Sequence, residues 1–483
     1  MNLGSFRVSG SNKFECDVLI IGSGPGGCVT ANELVSAGID VLMLEEGPMS
    51  TMPPKSSSAQ GLQQLWRNNG LTAALGSAPV SYAEGRCVGG GSEINSAIIQ
   101  RTPPNLLDQW AQDYEIKEFS ESALMPYYDK SFQAIKARVI DGATNPLSEV
   151  MINGAAALNW KISPLERSDD GDGKRSMSAT LLKYSLAKGL RLVSECRVHQ
   201  IIFNNKKAVS IKAVAQDAHG RKHPISVYFN HVFVASGAVH TPTLLLRSGV
   251  KNNIGKTLRL HPTLKALSYF PKLIQAQKHI LAPYAITEFM PDIRLGCSVF
   301  RPGFFGMSLA EDWQNRGHLQ SQIDHCAIFY AMIRSQGVGR VYSFPGLHDP
   351  FVTFRLTDQD WVLLKMGLQS LSKLLFAAGA TQIFPSIAGH SGWLKDKPIG
   401  RDVLLESLPK FANPFTIHLF SSCPMGENKQ RCAANSFGKI HDLDNVYIAD
   451  ASLIPEAPGV NPQATVMAIA DRNAQHFLKL RYS

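Results

Sequence analysis

Three glycines near the start of the chain have a spacing that suits dinucleotide binding. Gly22, Gly24 and Gly27 follow a short apolar, β-branched run in G-x-G-x-x-G order. The first glycine permits a tight turn, the second lets the backbone approach a pyrophosphate, and the third lets the next helix pack against the strand. A second apolar run ends at Glu45, where a ribose diol needs an acceptor. Strand, glycine turn, helix, strand and acid in this order predict a dinucleotide site.

Two alternatives stay open for this first segment. A glycine turn in a βα unit can also exist without binding any nucleotide. The neighbouring Glu46 could share or take over the role of Glu45. An acid rather than an arginine at the strand end indicates a free ribose diol and argues against a 2′-phosphate.

A second glycine-rich stretch covers residues 84–101, EGRCVGGGSEINSAIIQR. Its successive glycines, Gly89 to Gly91, allow positive φ and exposed N–H groups, a nest that suits a pyrophosphate or a flavin edge. Arg86 can reach a phosphate, and Asn95 can hydrogen-bond a heterocycle. On this stretch alone, a plain glycine turn before a strand or helix explains the residues equally well.

Distant pieces of the chain must position these residues. Alternating runs at 190–193 and 198–203 and short apolar runs at 232–235 and 446–449 predict further strands of one nucleotide-binding sheet. The last of them ends at Asp450. Asn461 and Pro462 then open a predicted helix, because Asn suits the N-cap and Pro the first helical position.

Composition indicates a globular chain with more than one core. Its 483 residues are enough for two or three domains. The formal charge is +9, but the sequence has no lysine-rich run and no basic stripe with interleaved aromatics, so no nucleic-acid partner is predicted. No apolar run is long enough for a transmembrane segment, and the first strand begins too early for a signal peptide. We therefore expect a cytoplasmic location.

The cysteines and acids do not predict a metal site. The eight cysteines contain no C-x-x-C pair, so buried free thiols in a reducing compartment are the simpler interpretation. The acidic turn at 169–174, DDGDGK, lacks the twelve-residue pattern and the final Glu of a calcium loop.

Four separated segments together resemble the glucose–methanol–choline (GMC) family of FAD-dependent oxidoreductases. They are IIGSGPGG from residue 20, GRCVGGGSEIN from 85, SGAVHTPTLLLRSG from 236, and HLFSSCPMG from 418 with VYIADASLIPEAPGVNPQAT from 446. Residues 263–410 match only loosely, and there the chain is more similar to long-chain alcohol and sugar dehydrogenases than to glucose oxidase.

The resemblance implies an α/β fold in two parts. A Rossmann-like FAD-binding domain would comprise residues 15–262, with an inserted helical segment at about 105–140, and residues 411–483. A substrate-binding domain of the α+β class, built on an antiparallel sheet, would comprise residues 263–410.

The resemblance also implies FAD as the cofactor. Some relatives attach the flavin through a histidine just after the second glycine motif; this chain has Glu93 and Ile94 there, so the expected FAD is noncovalent. The family's binding positions fall on Gly22, Gly24 and Gly27 at the pyrophosphate, Glu45 at the adenosine ribose, Arg86, Gly89, Gly90 and Asn95 along the flavin, Val198 at the adenine, Asp450 at the ribityl or pyrophosphate region, and Asn461 with Pro462 at the flavin end.

The family's catalytic pair falls on His418 and Asn461. In alcohol oxidation the hydroxyl proton leaves and a hydride moves to flavin N5. A neutral imidazole suits the first event, and Asn461 can hold the hydroxyl in place for the second. Structural alternatives are a satisfied core histidine at 418 and a simple helix cap at 461. His261, in a further family motif, is interpreted as structural.

The predicted function is therefore oxidation of a small-molecule alcohol to an aldehyde or ketone. The electron acceptor stays open between O2, a quinone and a cytochrome. Alternatives are a redox-neutral relative such as a hydroxynitrile lyase or photodecarboxylase, and a cytochrome-linked sugar or polyol dehydrogenase.

Overall fold

A computed structural model of the chain describes residues 12–49, 58–140, 145–169, 173–279, 282–395 and 408–482. Two large sheets organise these residues, and a buried apolar core surrounds each sheet. Part of the acidic turn, residues 170–172, lies outside the described ranges.

The first sheet carries the predicted nucleotide-binding strands. Lys13–Ile21 lies at its centre, parallel to Val41–Leu44 on one side and to Lys222–Val234 on the other. Val41–Leu44 is buried along its whole length and Lys13–Ile21 over its second half, which explains why these stretches are continuous apolar runs rather than alternating ones. In spatial order the strands are Arg191–Val193, Val41–Leu44, Lys13–Ile21, Lys222–Val234, Lys207–Gln216 and Cys196–Asn204, with Val446–Ile448 also paired to Lys222–Val234. The predicted strands of this sheet are thus confirmed, but Lys222–Val234 begins ten residues before its predicted start at 232, and Lys207–Gln216 was not predicted.

Two helices at opposite ends of the chain pack together on this sheet. Pro25–Ser36 begins at the glycine turn, and Gln463–Tyr482 is the last helix. Helix Glu121–Ala134 also packs against the last helix. Together with helix Pro104–Asp113, it comes from the segment that was predicted to be helical.

The second sheet is mostly antiparallel, as predicted. Its long strands are Thr263–Tyr269, Cys326–Ile333 and Ile293–Cys297. The shorter strands of this sheet are Thr72–Ala74, Val80–Tyr82, Ile162–Pro164, Tyr284–Ile286, Gln382–Pro385, Trp393–Leu394 and Phe415–Thr416. Several of these come from segments that the sequence-based division placed with the FAD-binding parts, because strands of two or three residues show no readable alternation.

Helix Asp358–Ala377 covers the second sheet and contacts helix Pro146–Leu158. Thr357 caps its start in a reciprocal capping box with Asp360. Other helices and 3-10 turns are Ala59–Leu65, Arg67–Gly70, Gly91–Ile94, Leu181–Ala187, Gly237–Arg247, Ala276–Lys278, Pro302–Ala310, Trp313–Arg316, Gly317–His325 and Ala451–Leu453. Short strand pairs are Arg138–Val139 with Glu166–Arg167, Arg259–Leu260 with Leu419–Phe420, and Val338–Tyr342 with Phe351–Arg355.

Candidate active site

The first glycine turn opens into a cavity. Gly22 has a φ of 108°, and a Cβ there would lie 2.2 Å from the carbonyl oxygen of Ala235. At Gly24 no atom lies within 4 Å of the corresponding Cβ position, so the space in front of it is open. Gly24 is also the N-cap of helix Pro25–Ser36, whose positive dipole end lies at this space. The turn therefore has the form of a phosphate cradle.

Glu45 lies buried beside this turn. Its carboxylate accepts hydrogen bonds from the backbone N–H and the hydroxyl of Ser23, at 3.0 and 2.7 Å, and from the N–H of Gly47, at 2.8 Å. Burial raises the pKa of Glu45, and these donors oppose the rise. Because each carboxylate oxygen can accept two hydrogen bonds, Glu45 keeps capacity for a ribose hydroxyl.

The second glycine segment lies against the first. The Gly89 N–H donates to the hydroxyl of Ser23 at 3.0 Å. Gly90 has a φ of 56°, and a Cβ on it would lie 2.8 Å from the Cα of Gly24. The two segments, far apart in sequence, thus approach so closely that glycine is required between them.

Asn95 connects this segment to the last helix. Its side-chain NH2 donates to Oε1 of Gln463 at 2.5 Å, and its Oδ1 accepts from the N–H of Ala97 at 3.0 Å. The Asn95 side chain is therefore held at the start of helix Gln463–Tyr482.

Asp450 follows strand Val446–Ile448 and connects helix Gly237–Arg247 with the 3-10 turn Ala451–Leu453. Its carboxylate accepts from the N–H of Gly237 at 2.8 Å, from the hydroxyl of Thr241 at 2.5 Å, and from the N–H and hydroxyl of Ser452 at 2.8 and 2.5 Å. Burial raises its pKa, and the donors act against this rise.

A charged cluster surrounds Glu46 at the end of the cavity where Val198 lies. Glu46 accepts from two nitrogens of Arg67, at 3.2 and 2.9 Å, and from Arg197 at 3.3 Å. Burial opposes ionisation, yet these guanidinium groups hold the pKa of Glu46 well below its usual range. Arg86 lies 3.4 Å from Glu46 and is half exposed, so the structure brings it to this acid rather than to the cavity.

His418 and Asn461 meet at the other end. The Asn461 side-chain nitrogen lies 3.2 Å from Nε2 of His418. The backbone N–H of His418 donates to the hydroxyl of Thr416 at 3.1 Å, which holds the backbone of His418 in place. Burial, reinforced by the charge of Arg294, lowers the pKa of His418 to about 3. His418 is therefore neutral at physiological pH and can accept a proton.

His261 lies directly behind His418. The Nδ1 atoms of the two rings are 3.1 Å apart, so one proton between them forms a hydrogen bond. His261 is fully buried, and this burial lowers its pKa well below the usual value. A second imidazole therefore contacts the predicted base. The sequence analysis, which interpreted His261 as structural, did not predict this contact.

Asn461 does not use its side chain to cap its own helix. Its Oδ1 accepts from Arg294 at 3.0 Å, and its NH2 group faces His418. Instead, the carbonyl of Pro462 accepts the first helical hydrogen bond, from Val466 at 3.0 Å. The amide of Asn461 is thus directed into the site.

Both ends belong to one cavity of about 270 Å³. The predicted residues that line it are Gly22, Gly24, Glu45, Gly90, Asn95, Val198, His418, Asp450, Asn461 and Pro462. Gly27, Arg86 and Gly89 do not line it; Gly27 packs beneath the turn, where a Cβ would lie 2.2 Å from the carbonyl of Gly22. These features suit an elongated ligand: the glycine cradle suits a pyrophosphate, the Glu45 carboxylate suits a ribose, and the polar end at His418 and Asn461 suits an aromatic ring that carries polar atoms.

Comparison with known proteins now decides the family. Residues 62–263 and 346–470 match the two GMC oxidoreductase family profiles, N-terminal and C-terminal. A protein of Sinorhizobium fredii named as an uncharacterized GMC-type oxidoreductase, y4nJ, is 44% identical over 98% of this chain and 96% of its own. The chain belongs to the GMC oxidoreductase family. It is accordingly an FAD-dependent oxidoreductase that acts on CH–OH groups.

More distant GMC oxidoreductases cover most of the chain. The long-chain-alcohol oxidase FAO1 of Arabidopsis thaliana is 25% identical over 96% of this chain and 67% of its own. Among solved structures, pyridoxine 4-oxidase from Mesorbium loti aligns with a TM-score of 0.74 and 18% identity, over 96% of this chain and 99% of its own. This structural alignment confirms the predicted fold.

Several site residues were not predicted from the sequence. Ser23, His261, Arg294 and Gln100 reach the site through tertiary contacts. Ser23 lies inside the glycine motif, and a hydroxyl there could have indicated a bond to the acid of the next strand. Arg294 stands in the loosely matched region, where no motif indicates its place.

Three further findings concern the remaining predictions. Within the described ranges, no helix combines the length and apolarity needed to cross a bilayer. Over the same residues, no group of three or more His, Cys, Asp or Glu side chains could hold a metal. All eight cysteines are unpaired and buried, which confirms their interpretation as buried thiols.

Proposed function

We propose that this GMC oxidoreductase oxidises an alcohol to an aldehyde or ketone, with His418 as the base that accepts the hydroxyl proton. One observation carries the proposal. The neutral His418 lies 3.2 Å from the Asn461 amide, and both line the same cavity as the glycine cradle.

The chain's own residues would perform the proton chemistry. Nε2 of His418 would accept the proton, while the NH2 group of Asn461 would donate to the substrate oxygen and hold the reacting carbon in place. A partly anionic oxygen beside the ring favours the imidazolium form, so bound substrate would raise the low pKa of His418. Noncovalent FAD, held by the glycine cradle, Glu45 and Asp450, would be the two-electron acceptor.

The last helix would add electrostatic stabilisation. Its first N–H groups follow Pro462, and Pro462 and Gln463 line the cavity. A helix N-terminus favours negative charge in front of it. We propose that this end balances the charge that develops when the cofactor is reduced.

Anaerobic mixing tests the proposal. Purified holoprotein is mixed with primary and secondary alcohols of aliphatic, sterol, sugar and aromatic type, and the flavin absorbance is followed. At least one alcohol should bleach the flavin, and admission of air or of a quinone or cytochrome then identifies the acceptor. Precipitation with acid should release the flavin into solution, as expected for noncovalent binding.

The same assay separates a redox-neutral reaction from an oxidation. Product that forms with no electron acceptor and without bleaching would favour the lyase or photodecarboxylase class. Failure of the whole panel to bleach the flavin would remove the support for alcohol oxidation.

A further inference from the structure

A buried arginine lies beside the catalytic pair. Arg294, on strand Ile293–Cys297 of the second sheet, is 1% exposed. One terminal nitrogen, Nη1, donates to Oδ1 of Asn461 at 3.0 Å and to Oε1 of Gln100. Within the part of the chain that the structure describes, its Nε and Nη2 are buried and have no hydrogen-bond partner.

Burial of this guanidinium costs free energy. A charge taken out of water is costly unless a partner and hydrogen bonds replace its hydration. Burial lowers the pKa of Arg294, and the neighbouring Tyr330 only partly opposes this. The equally buried Arg316, by comparison, has a carboxylate partner, Glu311, at 2.8 Å. An under-satisfied cation next to a reactive site therefore calls for a functional explanation.

We propose that Arg294 is a positioning residue that fixes the Asn461 amide and supplies positive charge behind the reacting oxygen. The inference rests on the proposed alcohol oxidation and names a residue for it. An arginine can only donate, so its bond to Oδ1 sets which way the amide of Asn461 points. The NH2 group of Asn461 is thereby left for His418 and the substrate oxygen.

The positive charge also acts on the base. The titratable groups that face His418 are His261 and Arg294, and Arg334 adds its charge at His261. A nearby cation disfavours the imidazolium and favours an anionic oxygen at the reacting carbon. Arg294 would thus keep the base unprotonated before the reaction and stabilise the alkoxide as the proton leaves.

Three variants test this inference. Arg294→Met removes the charge, Arg294→Lys keeps it without the planar fork, and Arg316→Met is a control on a buried arginine that contacts no site residue. The first readout is the titration of the His418 imidazole by NMR in the FAD-loaded protein without alcohol, assigned with His418→Gln. The second is the anaerobic flavin reduction rate against pH, with an alcohol that the wild type oxidises.

The expected results differ among the variants. Arg294→Met should raise the pKa of His418 by about one unit, move the acid limb of the rate profile upward equally, and slow reduction at pH 8 by ~10- to 100-fold. Arg294→Lys should retain the wild-type acid limb, with a smaller loss of rate. Arg316→Met should change neither the titration nor the acid limb.

Two results would overturn different claims. An unchanged His418 titration and acid limb in Arg294→Met would overturn the inference, whatever its effect on stability. A wild-type protein whose flavin is reduced by no alcohol would instead overturn the proposed function, since the NMR titration needs no alcohol and no turnover.

Discussion

At the scale of single residues, the site depends on one imidazole that stays uncharged. Burial and the charge of Arg294 lower the pKa of His418 to about 3. Above that pH the ring is neutral and its Nε2 can accept a proton. The rate of flavin reduction should therefore show no acid limb from His418 between pH 5 and 8, where an unperturbed histidine would titrate.

Asn461→Asp should create such an acid limb. A carboxylate 3.2 Å from His418 favours the imidazolium and raises its pKa, so protonation would remove the base as the pH falls. We expect flavin reduction at pH 6 to slow by ~100-fold and to recover partly toward pH 9, as measured by anaerobic stopped flow.

Asn461→His is the matched control for this prediction. An imidazole N–H at position 461 can donate to the same oxygen. Reduction within about tenfold of the wild type is expected. Equal pH profiles for Asn461→Asp and the wild type would contradict the assigned neutrality of His418.

At the scale of elements, the glycine turn and the helix that follows it form the phosphate cradle. Gly24 leaves open space in front of its backbone, and Gly90 closes against it from the second motif. A methyl group at 24 would occupy space that the cofactor needs and hold the pyrophosphate away from the helix N-terminus.

Gly24→Ala should therefore weaken FAD binding by at least tenfold, as measured by flavin fluorescence during titration of the apoprotein. The control is Gly306→Ala, an exposed position in helix Pro302–Ala310 with nothing within 4 Å of the added methyl. Its FAD affinity should equal that of the wild type. Wild-type affinity in Gly24→Ala would place the pyrophosphate elsewhere.

The elements that carry a motif were predictable, and the contacts between elements were not. Glycine spacing and β-branched runs predict the first sheet because their physical causes are local: positive φ, close packing and two buried faces. The short strands at Thr72–Ala74 and Ile162–Pro164 carry no such pattern. His261 meets His418 through the pairing of Arg259–Leu260 with Leu419–Phe420, and Arg294 reaches Asn461 from a strand of the second sheet. Both contacts join residues that are far apart in sequence, so no local spacing predicts them.

At the scale of the whole molecule, the cavity joins parts of the chain that are far apart in sequence. Glycines of the first 100 residues line it together with His418 and Asn461 from the last 70. A cofactor that contacts all of these parts binds the folded chain and not the unfolded one. It must therefore stabilise the fold by a free energy that grows with the logarithm of the free FAD concentration above the Kd.

Thermal unfolding of apoprotein and holoprotein measures this coupling. At FAD concentrations near 1,000 times the Kd, stabilisation of about 4 kcal/mol is expected, with a melting temperature that rises with FAD concentration. Gly24→Ala should show a smaller rise at the same FAD concentration. A melting temperature independent of FAD would indicate that the cofactor does not connect these parts.

The central claim is that His418 takes the substrate proton beside a flavin held in this cavity. Its most direct test is anaerobic flavin reduction by one oxidisable alcohol in wild type, His418→Gln and His418→Ala, each loaded with equal FAD. Bleaching is expected in the wild type, with a rate ~100- to 10,000-fold lower in both variants at unchanged FAD content. Equal rates in all three proteins would contradict it.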